Sequence, residues 1–400
     1  MSGRAPLSKR ALSTSPSMTL GISARAKELR ARGVNVVNLS AGEPDFDTPE
    51  NIKEAAKRAI DSGFTKYTAA GGIPELKKAI CEKLRRDNGL NYDPDEVLVS
   101  CGAKHSIFNI LLAMCNDGDE VIIPSPYWTS YPEMVKIAGG KPVFVETGET
   151  GFKLTPEGLR SAISRRTKLV IVNTPCNPTG VVYTGDELRA LGEVIAEHGI
   201  YCISDEVYEK LVYDGLKHVS LASLSPELMD LTITVNGASK TYSMTGWRIG
   251  YAAGPAEIIR AMDDIQGHST SNPTSFCQKA ALEALTGDQE SVERMRREFE
   301  RRRDYISNRL NRMGGIKLTK PQGAFYAFPD ISEFLGREAG GRTIDGSCAF
   351  AEELLTRAGV AIVPGAAFGH DGAVRISFAA SMEEIEEGMN RMEEFLEGLR

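Results

Sequence analysis

Long apolar runs are missing from this 400-residue chain, and none approaches the about 18 residues that a membrane-spanning helix needs. Cysteine is sparse and scattered. The thiols of Cys81, Cys101, Cys115, Cys176, Cys202, Cys277 and Cys348 are odd in number and form no CxxC pair. That argues against a disulfide framework or a zinc site and favours a reducing compartment. The five histidines lack HExxH or HxH spacing, so no metal centre is expected. Excess basic charge is absent too: 47 Lys and Arg face 54 Asp and Glu, for a net −7, which disfavours a dedicated nucleic-acid binder. Three signatures are also wanting. There is no GxGxxG after a first strand, no GxxxxGK[ST] and no GxSxG, so neither a dinucleotide fold, a phosphate loop nor a nucleophile elbow is expected.

What the chain has is ordinary globular composition, 42% hydrophobic and 25% charged, long enough for two or three structural units. Its first stretch, MSGRAPLSKRALSTSPSM, is basic and Ser-rich like a transit peptide. No long apolar segment comes after it, and helical patterning begins at ISARAKELRARG, so an ordered arm and a cytoplasmic protein are expected. From about 95 to 250, short Val- and Ile-rich runs alternate with helical patterns: DEVLVS, DEVIIP, TKLVIVN, IYCISDE and LTITVNG. Continuous apolar runs of this length read as strands of a parallel sheet buried on both faces. The intervening GDELRALGEVIAEHG presents Leu188, Leu191, Val194 and Ile195 on one helical stripe. A long helix is expected over about 289–313, with Val292, Met295, Phe299, Ile306, Leu310 and Met313 as its stripe. Its basic run, including Arg301, Arg302 and Arg303, reads as a solvated face laced by i,i+4 pairs such as Glu293–Arg297 and Glu298–Arg302. Beyond Gly314-Gly315, IKLTKPQGAFYAFPDI, GVAIVPG and AVRISFAAS read as strands of a separate α+β unit.

In an open α/β sheet, ligands bind beyond the carboxyl ends of the strands. The residues there form a chemical set. After EVLVS comes a small-residue turn, Gly102-Ala103-Lys104, opening a helix whose N-terminal N–H groups favour an anion. After VIIPSP comes Trp128, able to stack on a flat ring. After LVIVN, Pro175 and Pro178 frame Asn177 in a rigid turn. After YCIS come Asp205 and Tyr208, and a carboxylate at a buried strand end needs a cation or donor. After TITV comes Asn236-Gly237-Ala238-Ser239-Lys240. Each has a bland alternative: a Gly turn, a rim aromatic, an Asx turn, a solvated lysine. Their coincidence at one sheet edge does not. Pyridoxal phosphate (PLP) fits all five features. Its aldehyde needs a lysine, its ring nitrogen a carboxylate, its phenolic oxygen an amide and a phenol, its face an aromatic, and its phosphate N–H groups and an arginine.

The stretches SKTYSMTGWRIG, NTPCNPTG, SDEVY, AGEPDFDTP, KYTAAGGIPELKKAI, SPYW and RISFA together resemble the class I, fold-type I PLP-dependent aminotransferases, with bacterial aspartate aminotransferases the nearest in pattern. The resemblance runs from about Leu7 to the end. It implies an α/β fold, with a large domain (49–295) holding a mostly parallel, helix-covered sheet of seven strands. It also implies a smaller α+β domain from both termini (1–48, including the arm, and 296–400). It implies transamination between L-aspartate and 2-oxoglutarate by a ping-pong route, in a homodimer with shared active sites. Lys240 matches the lysine that bonds the cofactor aldehyde and later serves as general base. Asp205 matches the ring-nitrogen partner, Tyr208 and Asn177 the donors to the ring oxygen, and Trp128 the stacking aromatic. Gly102, Ala103, Lys104, Ser239 and Arg248 match positions around the phosphate. Tyr67 matches a tyrosine reaching the neighbouring subunit's phosphate. Arg375 and Gly42 match contacts to the substrate α-carboxylate, with Asn177 and Trp128 also lining the substrate.

Two departures stand out. Gly237 occupies a place where many relatives have a phosphate-binding serine. No partner-supplied arginine for the distal carboxylate is identifiable, and Lys104 with residues near Ser17 is the expected substitute. Specificity for prephenate, aromatic amino acids, alanine or kynurenine stays open. In prephenate-active relatives an arm lysine is frequent, and its position here falls near Ser15, which leans away from prephenate. A PLP lyase or synthase on the same fold is the other enzyme class. A regulator's PLP-binding moiety would need a fused DNA-binding domain, and the residues before Leu7 leave no room for one.

Overall fold

The computed structural model describes residues 7–16 and 18–399. The continuous apolar runs form five strands of one seven-stranded sheet. Its strands are β1 (Val97–Ser100), β2 (Glu120–Ser125), β3 (Lys141–Glu146), β4 (Thr167–Asn173), β5 (Tyr201–Asp205), β6 (Thr232–Gly237) and β7 (Gly250–Ala253). Their spatial order is β1-β7-β6-β5-β4-β2-β3. Neighbours are parallel throughout, except that β7 runs antiparallel to both β1 and β6. Side chains alternate between faces. Ile122, Val170, Val172 and Cys202 meet Leu188, Leu191, Val194 and Ile195 of the helix Gly185–His198. Ile123, Ile171, Ile203 and Val235 meet Ile107, Ile110 and Leu111 of the helix Ala103–Met114. Register then aligns the strand ends: Asn173 lies beside Asp205, and Asp205 beside Val235.

Two strands have no counterpart among the apolar runs. β3 is an edge strand with no fully buried position, and β7 is the small-residue run GYAA. In the C-terminal part, β8 (Tyr326–Ala327), β9 (Val363–Pro364) and β10 (Val374–Ser377) form an antiparallel sheet in the order β9-β10-β8. Of the stretch 316–331, only β8 is strand; Lys317 adds a single bridge to Asp330. Val37–Asn38 pairs in parallel with Val360–Ala361, tying the N-terminal segment to this part. One core cluster holds Val37, Leu39, Phe350, Ile376 and Phe378 together with Tyr208 and Leu211. The arm lies against the helix Ser130–Ile137, with Ser15 N–H donating to Glu133 at 3.0 Å and Lys136 to the Ser13 carbonyl at 3.2 Å.

The long helix spans Glu290–Leu310 and buries Val292, Met295, Phe299, Ile306 and Leu310, while Met313, also buried, lies past its end. Its basic run is not a uniformly solvated face. Arg297 is exposed and pairs with Glu293, but Arg302 and Arg303 are buried, drawn inward by Asp45 and Asp214 from distant segments. Among the described residues no helix is long and apolar enough to cross a membrane.

Candidate active site

At Gly237 the chain leaves β6 and turns at once into the four-residue helix Ala238–Thr241. That turn places Lys240 under the aromatic pair Tyr208 and Phe325, 6.0 and 5.7 Å from their ring centres, with Nζ donating to the Gly42 carbonyl. Burial lowers the lysine pKa to about 8, with Arg375 and Arg248 repelling its charge and Glu43 and Asp205 opposing them. At pH 7.5 about a quarter of such an amine is neutral, against roughly 0.1% of an ordinary lysine.

The other strand ends join Lys240 in a chain of contacts. Burial pushes the Asp205 carboxyl up to about 6, although Tyr131 and the Val207 N–H donate to it. The Tyr131 hydroxyl stands 2.6 Å from Oδ2. Asn173 Nδ2 donates to the Asp205 carbonyl at 2.9 Å, while its Oδ1 accepts the Asn177 N–H at 2.8 Å. Asn177 Oδ1 accepts in turn from Arg375 Nη1 at 3.0 Å, and Arg375 Nη2 donates to the Ser40 carbonyl at 2.9 Å. The Arg375 guanidinium lies 4.3 Å from the Tyr326 ring centre, and the Tyr326 and Tyr208 hydroxyls are 3.0 Å apart. On the far side Trp128 meets Tyr131 edge-on at 5.3 Å, and Lys104 Nζ sits 4.9 Å over the Trp128 ring.

Between Lys104 and Lys240 the backbone forms a cup kept open by glycine. Gly102 has φ +92°, and a Cβ there would strike the Arg248 guanidinium. A Cβ on Gly250 would strike the Ala103 N–H, and one on Gly237 would come within 3.1 Å of Gly250 Cα and the Ile249 carbonyl. Gly237 is extended, and a side chain there would be a tight fit rather than a clash, unlike one at Gly102 or Gly250. Arg248 itself has φ +58°, a left-handed conformation that costs a non-glycine residue about 1–3 kcal/mol. The strain aims its guanidinium along the cup, where it donates to the Thr245 and Cys101 carbonyls.

Among the described residues, no carboxylate forms an ion pair with Lys104, Lys240, Arg248 or Arg375. Burial, then repulsion from Arg248, lowers the Lys104 pKa, and burial lowers that of Arg375. Arg375 Nε is buried with no partner at all. Of the four, Arg375 is buried, Lys240 half-buried, and Lys104 and Arg248 open to the space; a lone buried cation is costly, so Arg375 in particular is suited to an anion. PLP fits this donor set: the glycine cup and Arg248 suit its phosphate, Asp205 its ring nitrogen, and Lys240 its aldehyde.

Tyr67 is 90% exposed and makes no hydrogen bond to this group within one chain. The Ser239 hydroxyl also has no protein partner among the described residues. Ser17 lies outside the described residues. Four contributors escape a reading of strand ends: Tyr131, Tyr326, Asn173 and Ser40. Tyr131 comes three residues after Trp128, in the first turn of the helix Ser130–Ile137, where its N–H donates to the Trp128 carbonyl at 3.0 Å. Tyr326 faces the site only because β8 pairs with β10, which no local pattern announces.

Comparison with known proteins agrees with this geometry. A family model described as aminotransferase class I and II matches residues 34–392. An aspartate aminotransferase of Geobacillus stearothermophilus is 54% identical over 98% of this chain and 99% of its own length. An aspartate/prephenate aminotransferase of Cereibacter sphaeroides is 55% identical over 96% and 97%. Among solved structures, the aspartate aminotransferase of Rhizobium meliloti superposes with a TM-score of 0.96 at 46% identity, covering all of both chains. That of Thermus thermophilus with maleate gives 0.93 at 46% identity, over 98% of this chain and 100% of the other.

Proposed function

The chain belongs to the class I and II aminotransferases, which are PLP-dependent, and we propose that it moves the amino group of L-aspartate to 2-oxoglutarate in two half-reactions. The observation that carries this is the set of four cations, none ion-paired to a carboxylate among the described residues, around the buried acid Asp205. A phosphate and a dicarboxylic substrate supply the anions that such a set requires. When bound, the cofactor offers an aldehyde to the amine and a protonated ring that takes up the electrons of the Cα–H bond.

The chain's own residues do the rest. Lys240 Nζ, its pKa lowered into reach of neutral pH, carries the proton away from the substrate Cα. Asp205 holds the proton on the ring nitrogen. Tyr208 and Asn177 Nδ2 donate to the ring oxygen, and the Trp128 face covers the ring. Gly102, the N–H groups of Ala103 and Lys104, Ser239 and Arg248 hold the phosphate. Arg375 takes the substrate α-carboxylate with Nε and one Nη in a two-point fork, beside Gly42. Lys104, at the mouth of the cup, takes the distal carboxylate. The Thermus thermophilus relative solved with maleate, a four-carbon dicarboxylate, supports a dicarboxylic substrate. Tyr67 reaches the phosphate of a second copy, which makes the working unit a homodimer. Residues 1–48 and 296–400 close on 49–295 to exclude water, and the enzyme works in the cytoplasm.

A wider range that includes prephenate is the second reading, because relatives under both names match at 54% and 55% identity. Visible spectra decide between them. The purified protein with PLP is expected to develop an absorbance band lost on adding aspartate but little changed by alanine or phenylalanine. A protein that develops no band with PLP sinks the whole reading. Turnover of prephenate with aspartate as donor establishes the wider range.

A further inference from the structure

Directly behind the cofactor-facing residues lies a second charged group that the mechanism above does not use. The segment 205–209 is a tight turn in which Asp205 and Tyr208 face the site. Glu206 and Glu209 point away into the interior, 0% and 5% exposed. Glu206 accepts from Ser204 at 2.9 Å and Ser220 at 2.6 Å, and lies 2.8 Å from His218 Nε2. Glu209 pairs with Lys83, itself 2% exposed, and accepts from Asn88 at 2.7 Å. Asn88 also reaches Ser220 at 2.8 Å and takes the Lys83 ammonium at 2.7 Å. The carboxylates and imidazole come close enough to one another to suggest a metal, yet Lys83 already supplies Glu209 with its cation.

Burying two carboxylates is tolerable only if two positive charges accompany them. Lys83 is one. His218 becomes the other when protonated: burial opposes its charge, but Glu206 and then Glu209 raise its pKa, while its Nδ1 has no partner among the described residues. The same two cations, Lys83 first, draw the Glu209 pKa down against burial. Lys210 and Arg86 are matched by Asp87 at 2.9 and 2.8 Å, and burial keeps the phenols of Tyr92, Tyr242 and Tyr251 and the thiol of Cys202 neutral. The cluster is thus neutral with His218 protonated, and it clamps both ends of the turn that presents Asp205 and Tyr208. Glu206 is next to Asp205 in the chain, and its charge helps burial to raise the Asp205 pKa.

We propose that Glu206 and Glu209, balanced by His218 and Lys83, are positioning residues for Asp205 and Tyr208, and that the net charge of this cluster sets how tightly the bound cofactor holds its proton. The proposal rests on the assignment of Asp205 and Tyr208 to PLP. Two substitutions on the holoenzyme test it by sign. His218→Gln keeps a donor toward Glu206 but removes a positive charge, leaving a net negative cluster. Glu209→Gln keeps an oxygen for Lys83 and Asn88 but removes a negative charge. The pH midpoint of the cofactor's visible absorbance is expected to rise by about half a unit in the first and fall by about as much in the second. A merely structural role predicts no such reversal. Midpoints that stay at the wild-type value, or shift in the same direction in both, overturn the proposal. If one variant fails to fold, the sign in the other decides. A wild-type chain that takes up no PLP sinks the reading of the site, and this proposal with it.

Discussion

The helix Glu290–Leu310 and the sheet edge both gather cations, in opposite ways. On the helix, Arg296, Arg297, Arg301, Arg302 and Arg303 each meet at least one carboxylate within 2.7–2.9 Å. At the sheet edge Lys104, Lys240, Arg248 and Arg375 meet none. Burial does not separate the two groups, for Arg303 is 0% and Arg375 3% exposed. Compensation does. A cation matched inside the chain serves the fold. A buried cation matched only by carbonyls and ring faces is suited to a ligand's negative charge, and the chain carries the desolvation cost until that ligand arrives.

The contrast can be tested from its strongest member down. Lys240→Ala removes the proton carrier and should lower kcat by at least about 10,000-fold, measured by coupled assay, with the fold intact by circular dichroism. Arg375→Ala should lower kcat/KM by about 1,000-fold for amino and oxo acids alike, because every substrate has an α-carboxylate. Lys104→Ala should cost aspartate and glutamate about 20-fold in kcat/KM while alanine changes less than about twofold. Equal losses on all three would remove Lys104 from the distal carboxylate. At the small end, Arg297→Ala should leave kcat unchanged and shift unfolding free energy by under about 0.5 kcal/mol in urea titration, as befits an exposed pair. A large activity loss there would erase the distinction between the two regions.

Much of the site is legible because a parallel sheet writes itself into sequence. β1, β2, β4, β5 and β6 are buried enough to read as apolar runs, and the residues just past each run must face the ligand edge. β3 and β7 escape because one lies exposed at an edge and the other is built from Gly and Ala, so neither shows the apolar signal. Arg302 and Arg303 depart from a solvated face for a related reason. The Glu298–Arg302 i,i+4 pair is real, but Asp45 and Asp214 come from far along the chain and pull Arg302 and Arg303 inside. Tyr326 and Ser40 belong to the same category: they join the site through pairing between remote segments, which no window of sequence contains. The resemblance to a known family carries Arg375 and Gly42, since strand alternation alone does not say where an arginine's fork will point.

Arg375 has one more consequence. Its two terminal nitrogens are held by Asn177, 198 positions away, and by Ser40, 335 positions away. The fork is therefore aimed only when three remote stretches of chain have assembled correctly around it. Carboxylate recognition is in that sense a proofreading step on the polypeptide itself. A molecule with any one stretch out of place does not work badly on the wrong substrate; it loses its grip on every substrate.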